Sequence, residues 1–335
     1  MAGTTAIASA LLLLLPLVPG LPAGLAAGAA AKTLEKGPWQ VVLDQTGRCE
    51  AKWNGKTVLV YAFATNQFKP YVKELHTLDG YNILLDSPPD HLHHHGLMFA
   101  IKANGVNFWE EYGKPGYEKP VGPLGCRFIK ATAGVGDVAL ELSQQLAWVA
   151  TNVPVADARK LAILLERRTL ILSANEKTRE VALEWKADFT AAGENPQTEL
   201  GGAGYHGLGM RLRPEWDHVA RHENSAGLPY SAAQSFDVTP ALWSSVSHNP
   251  EGHPVTAVLA SRVENPGEEN FFSMLNVFTY TSATQNLDKQ PIRFARGAKF
   301  SMRYLVLTYP AKRSRQEIDE RYKAWIGAGA GAKNP

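Results

Sequence analysis

The sequence predicts an all-β protein, a large antiparallel β-sandwich closed by a C-terminal helix. Three observations carry this. Short runs of β-branched and aromatic residues recur from Trp39 to Tyr309, and several alternate apolar and polar with the period of a half-buried strand. Glycine and proline (29 and 21 residues of 335) are scattered through turns, with no interior composition break to mark a linker. A helix start signal stands out near the C-terminus, at Ser314.

The first segment reads as targeting. Met1 to Ala31 carries no charged side chain, holds the apolar run Ala10 to Val18, and contains Ala27-Gly28-Ala29. That is the pattern of a secretory signal peptide with an A-x-A cleavage site. The expected layout is a signal peptide over 1–31 and a single mature domain over 32–335, periplasmic or secreted. An uncleaved anchor is the rival reading. Against it, Pro16, Pro19 and Pro22 break the run, which is short for a span.

Strands follow in order. Trp39–Leu43 and Lys56–Phe63 are β-branched and aromatic. Gly96–Ala103 and Val106–Trp109 flank Asn104-Gly105. Asn-Gly between two such runs predicts a two-residue hairpin, because a type I′ turn needs positive φ at both central residues. Asp137–Ser143, Leu164–Leu172 and Glu180–Phe189 alternate and predict long antiparallel strands. Val255–Ala260, Phe271–Tyr280 and Phe300–Tyr309 complete the set. In the final segment, Ser314-Arg315-Gln316-Glu317 is a capping-box pattern. Ile318, Tyr322 and Trp325 then share one face of a helix over about 314–326.

Composition narrows the function. Net charge is +2 with both signs interspersed, so the chain lacks the basic stripe of a nucleic-acid binder. After residue 31 no apolar run is long enough to cross a bilayer as a helix, so no membrane span is expected in the mature chain. Cys49 and Cys126 are the two cysteines. Export permits a disulfide between them, and two separate buried thiols are the equal alternative.

The candidate site begins at Asp90-His91-Leu92-His93-His94-His95, where four of ten histidines fall within five positions. Imidazole exchanges protons near neutral pH and ligates metals. If the segment is extended, His91, His93 and His95 point to one face and His94 to the other. Across the hairpin, Trp109 is a sugar-stacking candidate and Glu110 an acid or base. A third element is the glycine-rich run Gly201 to Arg211, which carries His206 and Arg211. It lacks the strand–helix context of a dinucleotide fingerprint. Lys69 and Trp243 are candidate substrate contacts, and His248 and His253 lie in a loop-rich segment.

Lys69-Pro70-Tyr71, Asp90 to Leu97, Asn104 to Trp109, Gly207 to Arg211 and Phe300 to Tyr304 together resemble a bacterial family labelled methane oxygenase PmoA-like, a domain of unknown function. The resemblance covers most of the mature chain. The sequence departs from it at Leu92, where proline is expected in many members, and at His95, where arginine is frequent. The strand-rich layout, with an early histidine segment and a later G-x-H-G segment, also resembles galactose mutarotase-like supersandwiches. That resemblance implies a carbohydrate ligand and acid–base roles for His93, His94 and His206, with Glu110 as partner.

The leading expectation is an exported carbohydrate-active enzyme (an isomerase, lyase or glycoside hydrolase) working by His/Glu proton transfer. Its catalytic set is His93, His94, His206 and Glu110. Its binding set is Lys69, Asp90, His91, His95, Trp109, Arg211 and Trp243. One alternative is an enzyme holding a divalent metal on His91, His93 and His95. The other is a non-catalytic carbohydrate-binding module with Trp109 and Trp243 as stacking platforms.

Overall fold

Alternation along the central strands builds the layers. On the strand Glu180–Ala191, Val181, Leu183, Trp185, Ala187 and Phe189 enter the main core. Ala182 points the other way, into a second apolar cluster under the C-terminal helix. In a computed structural model the described residues are 31–131, 137–227, 235–274 and 276–330. These described residues form one unit. The expected signal peptide falls, but for Ala31, outside the described residues.

A ten-stranded antiparallel sheet runs from edge to edge as Lys32–Lys36, Trp39–Leu43, Arg48–Trp53, Lys56–Ala62, Tyr71–Leu75, Leu97–Ala100, Gly207–Arg211, Tyr280–Ala283, Asn270–Met274 and Phe236–Pro240. A nine-stranded sheet runs Gly125–Lys130, Val138–Val149, Leu164–Asn175, Glu180–Ala191, Lys299–Tyr309, Val255–Ser261, Trp243–His248 and Arg221–Asn224, with Tyr117–Pro120 paired beside Val138–Val149. The two sheets face each other across aromatic contacts. Phe99 of the first lies 5.9 Å from Trp148, 5.9 Å from Phe189 and 6.0 Å from Tyr304 of the second. This is the expected antiparallel sandwich.

A buried charge cluster sits in the core. Arg168 bonds Glu118 at 2.8 Å, Glu166 at 2.7 Å and the carbonyl of Pro70 at 2.8 Å, and its guanidinium lies over the Trp185 ring. Burial pushes the Glu118 carboxyl above its ordinary range, against the pull of Arg168.

The helix Arg315–Ala330 starts as its sequence predicts. Glu317 accepts hydrogen bonds from the backbone N–H and the hydroxyl of Ser314 at 2.7 and 2.8 Å, and its own N–H donates back to the Ser314 hydroxyl. Ile318, Tyr322 and Trp325 pack in one cluster with Leu305 and Leu307 of the nine-stranded sheet.

Two expected strands are broken. The run Gly96–Ala103 divides into Leu97–Ala100 in the ten-stranded sheet and Lys102–Ala103 in a small four-stranded sheet. There Lys102–Ala103 pairs with Val106–Asn107 through the expected hairpin, with φ of 50° at Asn104 and 77° at Gly105. The run Phe271–Tyr280 divides into Asn270–Met274 and Tyr280–Ala283, two neighbours of one sheet. Apolar content alone does not reveal a turn inside such a run. Cys49 and Cys126 are both free thiols, Cys49 buried.

Candidate functional site

The histidine segment is a turn, not a strand. After Pro88 and Pro89, the His91 N–H donates to the Pro88 carbonyl at 3.0 Å and the His94 N–H to the His91 carbonyl at 2.9 Å. Prolines fix φ near a turn value and cannot feed a strand ladder, so the expected alternation of faces does not arise. Instead the turn stacks His91 on His94, with centroids 4.6 Å apart, and sets His93 edge-on to His94 at 4.7 Å. The strand begins only at Leu97.

These three rings line a cleft of about 520 Å³ with Asp90, Trp109, Glu110 and Tyr112. Tyr205, Phe272, Phe278 and Tyr280 close it with aromatic surface. Glu110 is 8% exposed. Its Oε1 accepts from the Tyr205 hydroxyl at 2.8 Å and lies 3.6 Å from His206 Nε2, and its Oε2 accepts from the Asn107 side-chain amide. Burial opposes the charge, but these donors outweigh it and hold the Glu110 carboxyl well below the usual range. Burial lowers the pKa of His93, and with neighbouring His93, His91 and Arg211 it takes His94 down to about 2. At His93 and His94 the cleft therefore presents neutral imidazoles beside a fixed carboxylate.

His206, 1% exposed, lies behind this wall. Its ring stacks on Trp109 at 5.2 Å and 13°. Burial depresses its pKa against the pull of Glu110. The glycines around it have steric reasons. Gly207 has φ of 132°, and a Cβ there would meet the Ala283 carbonyl at 1.9 Å. A Cβ on Gly209 would sit 1.9 Å from the Tyr280 hydroxyl. That hydroxyl donates to the Tyr205 carbonyl at 3.0 Å, which also accepts from Ser282 at 2.9 Å. Bare backbone at Gly209 thus lets Tyr280 cross the sheet and pin the loop carrying Tyr205 and His206.

Several expected contacts lie elsewhere. His95 leaves the cluster and stacks on Tyr71 at 4.4 Å. Its Nδ1 bonds Asp86 at 3.0 Å and its Nε2 bonds Glu111 at 2.9 Å. Two carboxylates on the two ring nitrogens fit the imidazolium, which donates from both. Burial works against that charge, but the two bonds outweigh it and raise the His95 pKa. Lys69 joins the same network rather than the cleft. It is 1% exposed, pairs with Glu111 at 2.6 Å and donates to the Trp109 carbonyl at 3.1 Å. Arg211 does not line the cleft; it covers the ring of Phe278 at 4.1 Å and faces Asp217 at 3.8 Å. Trp243 is buried under the C-terminal helix, donating to Asp319 at 2.8 Å, so it offers no stacking face. His248 and His253 line a different cleft, with Tyr81 and Arg213.

The alternative metal set is not assembled. His91 and His93 face the cleft while His95 is spent on Asp86 and Glu111. Among the described residues no group of three or more His, Cys, Asp or Glu is arranged to hold a metal ion. No helix among them is long and apolar enough to cross a membrane.

Sequence reasoning missed Asn107, Tyr112, Tyr205, Phe272, Phe278 and Tyr280. Tyr205 was within reach, since it adjoins His206, and Asn107 lies two residues before Trp109. Phe278 and Tyr280 were hidden in the run read as one strand.

Solved structures similar to this chain include the GH36 α-galactosidase AgaA from Geobacillus stearothermophilus, at 12% identity and a TM-score of 0.39 over 83% of this chain and 40% of that one. The α-galactosidase from Lactobacillus brevis gives 9% and 0.37 over 83% and 39%. A galactose mutarotase related enzyme from Lactobacillus acidophilus gives 8% and 0.38 over 84% and 97%. The chain spans about 40% of the length of the galactosidases it matches. Likeness this distant says nothing about activity. No curated protein matches in sequence. One family does match, over residues 48–323, and the chain belongs to it: the family of unknown function DUF6807.

Proposed function

We propose that the protein is a carbohydrate-active enzyme that moves a proton on a sugar, with His93 as the base and Glu110 as a fixed anion. The observation that carries this is the convergence of His93, His94 and Glu110 on one aromatic-walled cleft of about 520 Å³, within the size range of small-molecule sites. A base works best when it is neutral at the operating pH and within reach of the proton. His93 is half-buried in the cleft with its pKa lowered by burial, so it meets the first condition. Glu110, tied by Tyr205, Asn107 and His206, is suited to stabilising positive charge on an imidazole rather than to donating a proton.

The same electrostatics favour isomerisation or elimination over hydrolysis by paired carboxylates. That hydrolysis needs one carboxyl held protonated. Both carboxyls of the cleft are shifted the other way, Asp90 by its bond from His91 and Glu110 by its donors. His206 acts through Glu110 and Trp109 as a positioning residue.

The test is incubation of the purified chain with a panel of mono- and disaccharides in deuterated water. Deuterium uptake into the sugar, read by NMR, is the expected result. His93→Ala should slow it by about 10²- to 10⁴-fold. Exchange unaffected by that substitution, or absent with every sugar, overturns the reading.

A further inference from the structure

The cleft has an unusual charge inventory. Its lining ionisable groups are Asp90, Glu110, three histidines and three tyrosines, and no lysine or arginine lines it among the described residues. Two cations lie nearby, Lys69 and Arg211, and neither lines the cleft. Lys69 is paired with Glu111 and bonded to the Trp109 carbonyl, and Arg211 covers the Phe278 ring and faces Asp217. Burial keeps His93 and His94 neutral. His94 is 6% exposed on the cleft wall, and its Nδ1 has no partner. A neutral imidazole carries one acceptor nitrogen and one N–H donor, so the wall has carboxylates and neutral polar groups but no permanent cation.

The remaining wall is aromatic. Tyr205, Phe272, Phe278 and Tyr280 present rings, whose negative faces attract cations. A carboxylate, sulfate or phosphate on a ligand would meet two anions and these rings with nothing to neutralise it. An ammonium group would meet two carboxylates and aromatic rings.

We propose that the sugar this cleft takes carries a protonated amine, with Glu110 and the aromatic wall as its counter-surface and Asp90 adding to the field at the rim. This rests on the sugar reading above and narrows it to basic over acidic sugars. Asp90 is tied to His91 at 2.9 Å and more exposed than Glu110. Its share is therefore the smaller, and more readily screened by salt.

The experiment is calorimetric titration of the full chain with glucosamine, glucose and glucuronate near neutral pH. Glucosamine should bind about tenfold more tightly than glucose, and glucuronate most weakly, a spread of the size ammonium–aromatic contacts supply. Glu110→Gln should abolish the preference for glucosamine. Asp90→Asn, at an exposed position that leaves the fold intact, should reduce it, as should added salt. Glucose or glucuronate binding as tightly as glucosamine overturns the charge proposal and leaves the sugar reading standing. Failure of all three sugars to bind removes both.

Discussion

His94 and His95 are consecutive, as are Glu110 and Glu111, yet each pair divides between two environments. His94 and Glu110 line the cleft. His95 and Glu111 bond each other behind it, with Lys69 and Asp86 completing the network. The consequences for charge are opposite. Burial without a counter-ion takes the His94 pKa down to about 2, and burial between two carboxylates raises that of His95. One peptide bond separates a side chain available for chemistry from one committed to holding the histidine turn against the Glu110 segment. Neighbouring residues of one type therefore need not share a role.

The division can be broken from the rear. Glu111→Ala strands Lys69, 1% exposed, and His95 without their shared partner. Leaving a buried charge uncompensated costs about 3–5 kcal/mol, to be read from urea unfolding. A loss under about 1 kcal/mol, the range of an exposed ion pair, would mean that the rear network is no clamp.

The two histidines should also answer pH with opposite sign. The raised pKa of His95 gives stability that is full below its ordinary value of 6.5 and lost as pH climbs through the folded value. The depressed pKa of His94 gives stability that is present above 6.5 and lost on acidification, when the unfolded chain takes up the proton first. His95→Gln should therefore cost more stability at about pH 5.5 than at about pH 9. His94→Gln should soften the loss on acidification. Equal penalties for His95→Gln at both pH values would remove the imidazolium assignment.

The smallest effect is expected between the two sets. Leu92, inside the cluster by sequence, is 67% exposed. Leu92→Ser should change stability by less than about 0.5 kcal/mol and leave sugar turnover unchanged. A larger change would show that the turn itself, and not its histidines, carries the cleft.

Much of the sandwich was legible. Trp39–Leu43 has its observed limits, the central strands differ from expectation mainly at their ends, and Ser314 caps its helix as predicted. Period-two burial and cap chemistry are local, so they show in one sequence. The site was legible only as a neighbourhood. His93, His94 and Glu110 come together, but Lys69, Arg211 and Trp243 are buried in other contacts, which residue type alone does not disclose. Phe278 and Tyr280 went unread because the apolar run that holds them was taken as one strand and is two.

Gly209 suggests how such a pocket changes size. The room for the Tyr280 hydroxyl exists because Gly209, opposite Ser282 on the neighbouring strand, carries no side chain. A single methyl at that position would meet the Tyr280 hydroxyl at 1.9 Å and force the ring, which lines the cleft, to shift. The capacity of the cleft is thus set in part by a residue that does not line it, and adding one methyl there is a route to a narrower pocket with the identity of every cleft-lining residue unchanged.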